Sequence, residues 1–139
     1  MSNPRDAAGP AAPFDDLSRR RRARLERFAD AWNAHDVEAL MACMAADCEF
    51  LSSAGTEACG TAYRGRESVR AGYAAVFDAF PDAAWNNPRH VVAGDRGFSE
   101  WRFTATDRQG VRVEVDGCDL FTFEDDLIRV KNSLRKQRR

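Results

Sequence analysis

The sequence has 139 residues, enough for one domain with a sizeable core. With 44% hydrophobic and 31% charged residues it has the composition of an ordinary globular protein. Its net charge of −1 excludes a strong overall pull toward nucleic acid, and no segment is long and apolar enough to read as a membrane span.

Met1 to Pro13 is rich in Ala, Pro and Gly and reads as a disordered tail. Residues 1–14 are therefore set apart from a single domain, residues 15–139. Ser18 is the expected N-cap of a first helix, on which Leu25, Phe28, Ala29 and Trp32 share one face. The arginine run Arg19 to Arg22 is expected as a solvated face. Asn33-Ala34-His35-Asp36 breaks the helix, and Asp36 can cap a short second one carrying Val37, Leu40, Met41 and Met44. Asp47 to Ser53 reads as a strand with Cys48, Phe50 and Ser52 on one side. Ala54 to Gly65 reads as loop. A third helix starts at Gly65, carries Val69, Tyr73, Val76 and Phe80 on one face, and ends at Pro81.

Four strands follow. Trp85 to Ala93 is interrupted by Pro88, which marks a sheet edge or a bulge. Phe98 to Thr106 turns Trp101, Phe103 and Ala105 to one face. Val111 to Phe123 alternates most clearly. One of its faces is Val111, Val113, Val115, Gly117, Asp119, Phe121 and Phe123. A carboxylate in such an apolar wall needs a partner or takes up a proton, so Asp119 is the first candidate for chemistry. The last strand is Leu127 to Arg135. Helices first and an antiparallel meander second make an α+β domain. A curved sheet wrapped over helices leaves a cone-shaped cavity suited to small ligands.

The four cysteines, Cys43, Cys48, Cys59 and Cys118, show no metal-ligand spacing and read as reduced thiols of a cytoplasmic protein. Two histidines, His35 and His90, are too few for a multi-histidine metal site. Neither metal nor cofactor is expected.

Four stretches carry a family resemblance: Phe28 to Asp36 (FADAWNAHD), Gly65 to Arg70 (GRESVR), Ser99 to Phe103 (SEWRF) and Asp119 to Ile128 (DLFTFEDDLI). Over about residues 18 to 137 the chain resembles the SnoaL-like branch of the nuclear-transport-factor-2-like superfamily. That group includes ketosteroid isomerases and polyketide cyclases. The resemblance implies a cone-shaped fold with three N-terminal helices on a curved, mostly antiparallel sheet. It also places Asp119 at the position of the protonated aspartate that serves ketosteroid isomerases, a worked case of a carboxylic acid kept neutral by its site. The isomerase's tyrosine falls on Phe28 and its general base on Ser52, which argues against steroid isomerisation by that route. The Asp-Arg-Asp set of the related limonene-epoxide hydrolases is absent, its last aspartate falling near Ser133.

The final hairpin admits two registers. A three-residue loop, Glu124 to Asp126, sets Asp119 opposite Lys131, Gly117 opposite Ser133 and Val115 opposite Arg135. A two-residue loop shifts the pairing by one and sets Asp119 against Val130. The first is favoured, because the slip would leave Asp119 unpaired. Asp119 and Lys131 are then the expected acid–base pair, or else a structural ion pair. Phe28, Trp32, Phe50, Ser52, Tyr73, Trp101, Phe103, Ser133 and Arg135 are the expected substrate-binding wall. Lys131 and Arg135 suit a carboxylate, enolate or phenolate. His90 is a weaker candidate near the sheet edge.

Two functions follow. One is a cofactor-independent isomerase, cyclase, dehydratase or hydrolase acting on a small hydrophobic or aromatic, anionic substrate. The other is a non-catalytic ligand-binding or dimerisation module. A homodimer is expected through Leu120, Thr122, Ile128 and Val130 on the outer sheet face. Nucleic acid and membrane are not expected partners.

Overall fold

The computed structural model describes the backbone of residues 13–139 and the side chains from residue 16 onward. Nearly all of the expected tail therefore lies outside the described residues. The elements run α1 (Pro13–Asn33), α2 (Val37–Ala42), β1 (Met44–Leu51), β2 (Ala62–Arg64), α3 (Arg66–Ala79), β3 (Ala84–Ala93), β4 (Arg96–Thr106), β5 (Arg112–Glu124) and β6 (Leu127–Arg135). The six strands form one sheet in the order β2-β1-β6-β5-β4-β3, antiparallel except where β1 lies parallel to β6.

Helix α1 starts at Pro13, so Ser18 lies inside it and does not cap it. Proline at a first helical position suits its fixed φ and missing N–H. Of the expected α1 stripe, Leu25, Phe28 and Trp32 are buried and Ala29 is half-buried, with Ala31 buried beside them. Asp36 caps α2, accepting from the Ala39 N–H at 3.0 Å. Three-residue β2 is an addition to the expected loop, and it pairs Tyr63 with Phe50. Helix α3 approaches β2 closely at Gly72, where a Cβ would meet the Tyr63 ring at 2.8 Å.

The arginine run is not simply a solvated face. Arg21 is buried, and its guanidinium donates to the carbonyls of Asp125 at 2.6 Å and Gly94 at 2.8 Å. It also lies over the Phe123 ring, 5.5 Å from the centroid. Arg24 donates to the Asp126 carbonyl and carboxylate. The two arginines thus fasten α1 to the β3–β4 and β5–β6 turns, whose orphan carbonyls need donors.

The final hairpin follows neither expected register. Its turn has two residues, with Glu124 opposite Leu127 and Phe123 opposite Ile128. Asp125 takes a left-handed φ of 52° in this turn. A bulge then leaves Arg129 unpaired, so that Thr122 faces Val130, Phe121 faces Lys131, Asp119 faces Ser133 and Gly117 faces Arg135. The extra residue reverses which face β6 presents. Before it, Ile128 points inward, fully buried, with its N–H on the Cys43 carbonyl. After it, Lys131, Ser133 and Arg135 share the inner face with Asp119. Ile128 is therefore core, not part of the outer patch.

Candidate active site

The inner face of the sheet is laid out in cross-strand rows. One row is polar: His90 of β3, Ser99 of β4, Asp119 of β5 and Ser133 of β6 stand opposite one another in turn. The next row is Phe121, Lys131 and Phe50 on β5, β6 and β1. On the other side of the polar row lie Trp101, Gly117 and Arg135.

Asp119 is 5% exposed and accepts three hydrogen bonds. Ser133 Oγ donates to its Oδ1 at 2.6 Å and Lys131 Nζ to the same oxygen at 3.0 Å; Trp101 Nε1 donates to Oδ2 at 3.1 Å. Lys131 also donates to Ser133 Oγ. Gly117 makes room for this arrangement, since a Cβ there would meet the Trp101 ring at 2.5 Å. Lys131 is equally buried, with its ammonium 4.9 Å from the Trp32 ring centroid and 4.8 Å from that of Phe50. Burial pushes the Lys131 ammonium below its ordinary value, and the Asp119 carboxylate pulls it partly back. Arg135 lies 4.5 Å from the Phe103 centroid and donates to Ser53 Oγ at 3.0 Å. Burial lowers it too, again opposed by Asp119.

The cone holds two small chambers that share the walls of Trp32, Trp85 and Trp101. The first, about 30 Å³, has Phe50, Ser52, Phe103, Lys131, Ser133 and Arg135 among its lining. Beyond Ser53 and Arg135 it meets an outer groove of about 690 Å³, bordered by Arg112, Lys136, Arg138 and Arg139 against the single acid Glu114. The second chamber, about 20 Å³, is lined by Phe28, His90, Ser99, Asp119 and Phe121 with the shared tryptophans. The expected wall is thus brought together with one exception. Tyr73 is wholly buried, its hydroxyl donating to Met44 Sδ at 3.3 Å, and it lines neither chamber. Full burial also holds its phenol well above the ordinary value, so it stays protonated.

Four residues outside the expected wall belong to the site. Trp85 walls both chambers, and its backbone is held by Asn33, which accepts its N–H at 2.8 Å and donates to its carbonyl at 3.0 Å. Ser53 positions Arg135. Ser99 and His90 complete the second chamber, with His90 Nδ1 2.6 Å from Ser99 Oγ. Burial holds the His90 imidazole below its ordinary value, opposed by Glu26, Asp119 and Asp30. His35, by contrast, is structural: its Nε2 meets the Ala83 carbonyl at 2.7 Å and its ring stacks on Phe77.

Among the described residues, one buried side-chain donor has no partner. Trp32 Nε1 is buried and unbonded, although Trp32 borders both chambers. Such a group costs about 1–3 kcal/mol and calls for an acceptor. Among the described residues no cluster of His, Cys, Asp and Glu could hold a metal ion, and no helix is long and apolar enough to cross a membrane.

A curved six-strand sheet over helices is also the fold that comparison with known proteins returns. The sequence model of the SnoaL-like domain matches residues 25–130, most of the chain. The protein belongs to the SnoaL-like family. No curated protein matches the chain. Its SnoaL-like fold is shared with a provisionally assigned polyketide cyclase from Xanthomonas campestris pv. campestris, 16% identical, over 86% of this chain and 93% of that one, at a TM-score of 0.76. A nuclear-transport-factor-2-like protein of unknown function from Mesorhizobium loti is 26% identical over 88% and 96%, at a TM-score of 0.72. TerC, co-crystallised with polyporic acid, is 17% identical over 84% and 92%, also at 0.72.

Proposed function

We propose that this SnoaL-like protein is a cofactor-independent acid–base enzyme, an isomerase, cyclase, dehydratase or hydrolase, acting on a small aromatic or polyketide-like molecule that carries or develops negative charge. The observation that carries this reading is the buried set of Asp119, Lys131 and Arg135 in an aromatic cone. One carboxylate and two cations leave the inner face with excess positive charge. When Asp119 takes a proton from a carbon or oxygen acid, its own charge is lost. Lys131 and Arg135 are then left facing the new enolate or phenolate, in a dry site where such attraction is strong. The basic border of the outer groove favours approach of an anion. TerC, similar in fold, was co-crystallised with an acid.

The chambers of about 30 and 20 Å³ hold little more than a water each. Substrate entry therefore requires Trp32, Trp85 or Trp101 to swing aside. The three donors already on Asp119 favour the second reading, a non-catalytic module whose Asp119–Lys131 ion pair is structural.

The test uses a panel of enolisable aromatic ketones, 2-tetralone first, incubated with the protein in D₂O. Proton NMR follows exchange at the carbon beside the carbonyl. Catalysed exchange that falls by about 10²-fold or more in Asp119→Asn supports the enzyme. Ketone binding without exchange, unchanged in that variant, selects the module.

Assembly is a separate proposal. The outer face carries Leu120 and Leu134, 36% and 46% exposed, with Thr122 and Val130 beside them. The Arg102–Asp116 and Arg89–Glu100 ion pairs border this strip. We propose that two copies meet here.

A further inference from the structure

Asp119 and His90 line one chamber from opposite ends of the polar row, with Ser99 between them. Pro88, Ala29 and His90 also line a surface groove of about 620 Å³ between α1 and the sheet edge. His90 is thus the polar side chain common to the chamber and that groove. It reaches this place because the β3 bulge between Asn86 and Arg89, with Asn87 at a left-handed φ of 55°, sets the register that puts His90 opposite Ser99.

The chamber between them, about 20 Å³, exceeds the 10–15 Å³ or so that one water needs. Its polar lining is His90, Ser99, Asp119 and the indoles of Trp32 and Trp101, of which Trp32 Nε1 is 96% buried by residue and unpartnered. A water also needs two to four polar partners, and this chamber supplies them.

We propose that the chamber binds one ordered water, and that this water, Ser99 and His90 form a path exchanging the Asp119 proton with solvent in the α1–β3 groove. This rests on Asp119 being an acid–base group. Each step conserves protons. Protonated Asp119 gives its proton to the water oxygen, and the water gives one of its own to Ser99 Oγ. The Ser99 hydroxyl proton passes to His90 Nδ1, and the imidazolium releases its Nε2 proton to the groove. The reverse sequence returns a solvent proton to Asp119. The route leaves the chamber lined by Lys131, Ser133 and Arg135 free for substrate, with Asp119 reached from it through Ser133, which lines that chamber and donates to Asp119 Oδ1. The charges facing His90 are Arg22, Glu26 and Asp30 of α1, Arg89 of its own strand, Glu100 of β4 and Asp119 of β5. Its depressed basicity keeps the ring neutral near pH 7, ready to accept a proton.

Two experiments on the full chain test this. A high-resolution crystal structure should show a water within hydrogen-bond reach of Asp119 and Ser99; a chamber that is dry, or closed by a side chain, overturns the path. In the D₂O assay with 2-tetralone, His90→Gln and Ser99→Ala should each cut deuterium wash-in at least tenfold, and His90→Gln should abolish the acid limb of the pH profile. If Asp119→Asn removes exchange while both path variants keep wild-type rate and pH profile, the path is wrong and the enzyme stands. If the wild type shows no exchange, the acid–base reading fails, and histidine NMR decides the path's geometry. The chain has only His35 and His90, so the titration is simple to assign. Asp119→Asn should lower the His90 pKa, and an unchanged value overturns the coupling.

Discussion

Lys131 Nζ lies 3.0 Å from Asp119 Oδ1 although the two residues do not stand opposite each other: Asp119 faces Ser133, and Lys131 faces Phe121. The pair is a diagonal contact across β5 and β6, both groups about 5% exposed. Lys131→Met should destabilise the fold by about 3–5 kcal/mol, because it strands a buried carboxylate. Asp119→Leu with Lys131→Met should recover most of that loss. Urea denaturation of the two single variants and the double variant measures the coupling; additive losses would mean that the pair is not a unit.

Gly117 fixes where Trp101 lies. Gly117→Ala places a methyl 2.5 Å from the indole and 2.6 Å from the Leu134 carbonyl. One contact is backbone, so the strand itself must shift. A loss of about 1–3 kcal/mol is expected, as for other overpacked sites. The Trp101–Asp119 hydrogen bond should loosen with it, seen as an upfield shift of one indole N–H in NMR. A variant of wild-type stability and spectrum would contradict the packing.

How much of this was legible beforehand depends on the range of each signal. The α1 stripe, the β5 alternation and the anomaly of Asp119 are local patterns with fixed periods, and they placed the core and the central acid. The Arg129 bulge has no such mark. It follows from tertiary fit, since it lets Ile128 enter the core while Lys131 still faces Asp119. Arg21 read as surface because its acceptors are 73 and 104 residues away. Trp85 and His90 were obscured by Pro88, whose bulge resets the alternation on which a strand reading depends. Tyr73 shared the right helix face, but its hydroxyl found Met44 instead of the cavity.

Arg21 should be worth more than a surface arginine. Its guanidinium satisfies two turn carbonyls from a buried position. Arg21→Met keeps most of the packing and removes the donors, so a loss of about 1.5–3 kcal/mol is expected. Arg20→Met, at an exposed position of the same helix, should stay within about 0.5 kcal/mol of wild type. Equal effects in thermal unfolding would mean the clasp does nothing.

His90 gives the fold an acid limb. Its imidazole is held below the ordinary histidine value of 6.5, first by burial. Between the two values the unfolded chain binds more protons than the folded one, so stability rises with pH there. His90 adds no pH dependence above about 6.5, and the fold weakens as pH falls below it. His90→Gln should flatten that slope in urea titrations at pH 5.5 and 7.5. An unchanged slope would show that His90 is not desolvated.

Leu120→Glu with Leu134→Glu should yield monomers if copies meet through the outer face, with the fold intact by circular dichroism. Sedimentation at tens of micromolar, roughly the range of modest dimers, reads the outcome. A wild-type monomer at that concentration would contradict the assembly.

The central claim is that Asp119 moves a proton at a substrate. Deuterium exchange into the aromatic ketone panel, measured for wild type and Asp119→Asn with matched circular dichroism, tests it most directly. Wild type should exceed buffer, and Asp119→Asn should lose about 10²-fold or more of that rate. An Asp119→Asn rate equal to wild type, or a wild-type rate no faster than buffer across the panel, would contradict it.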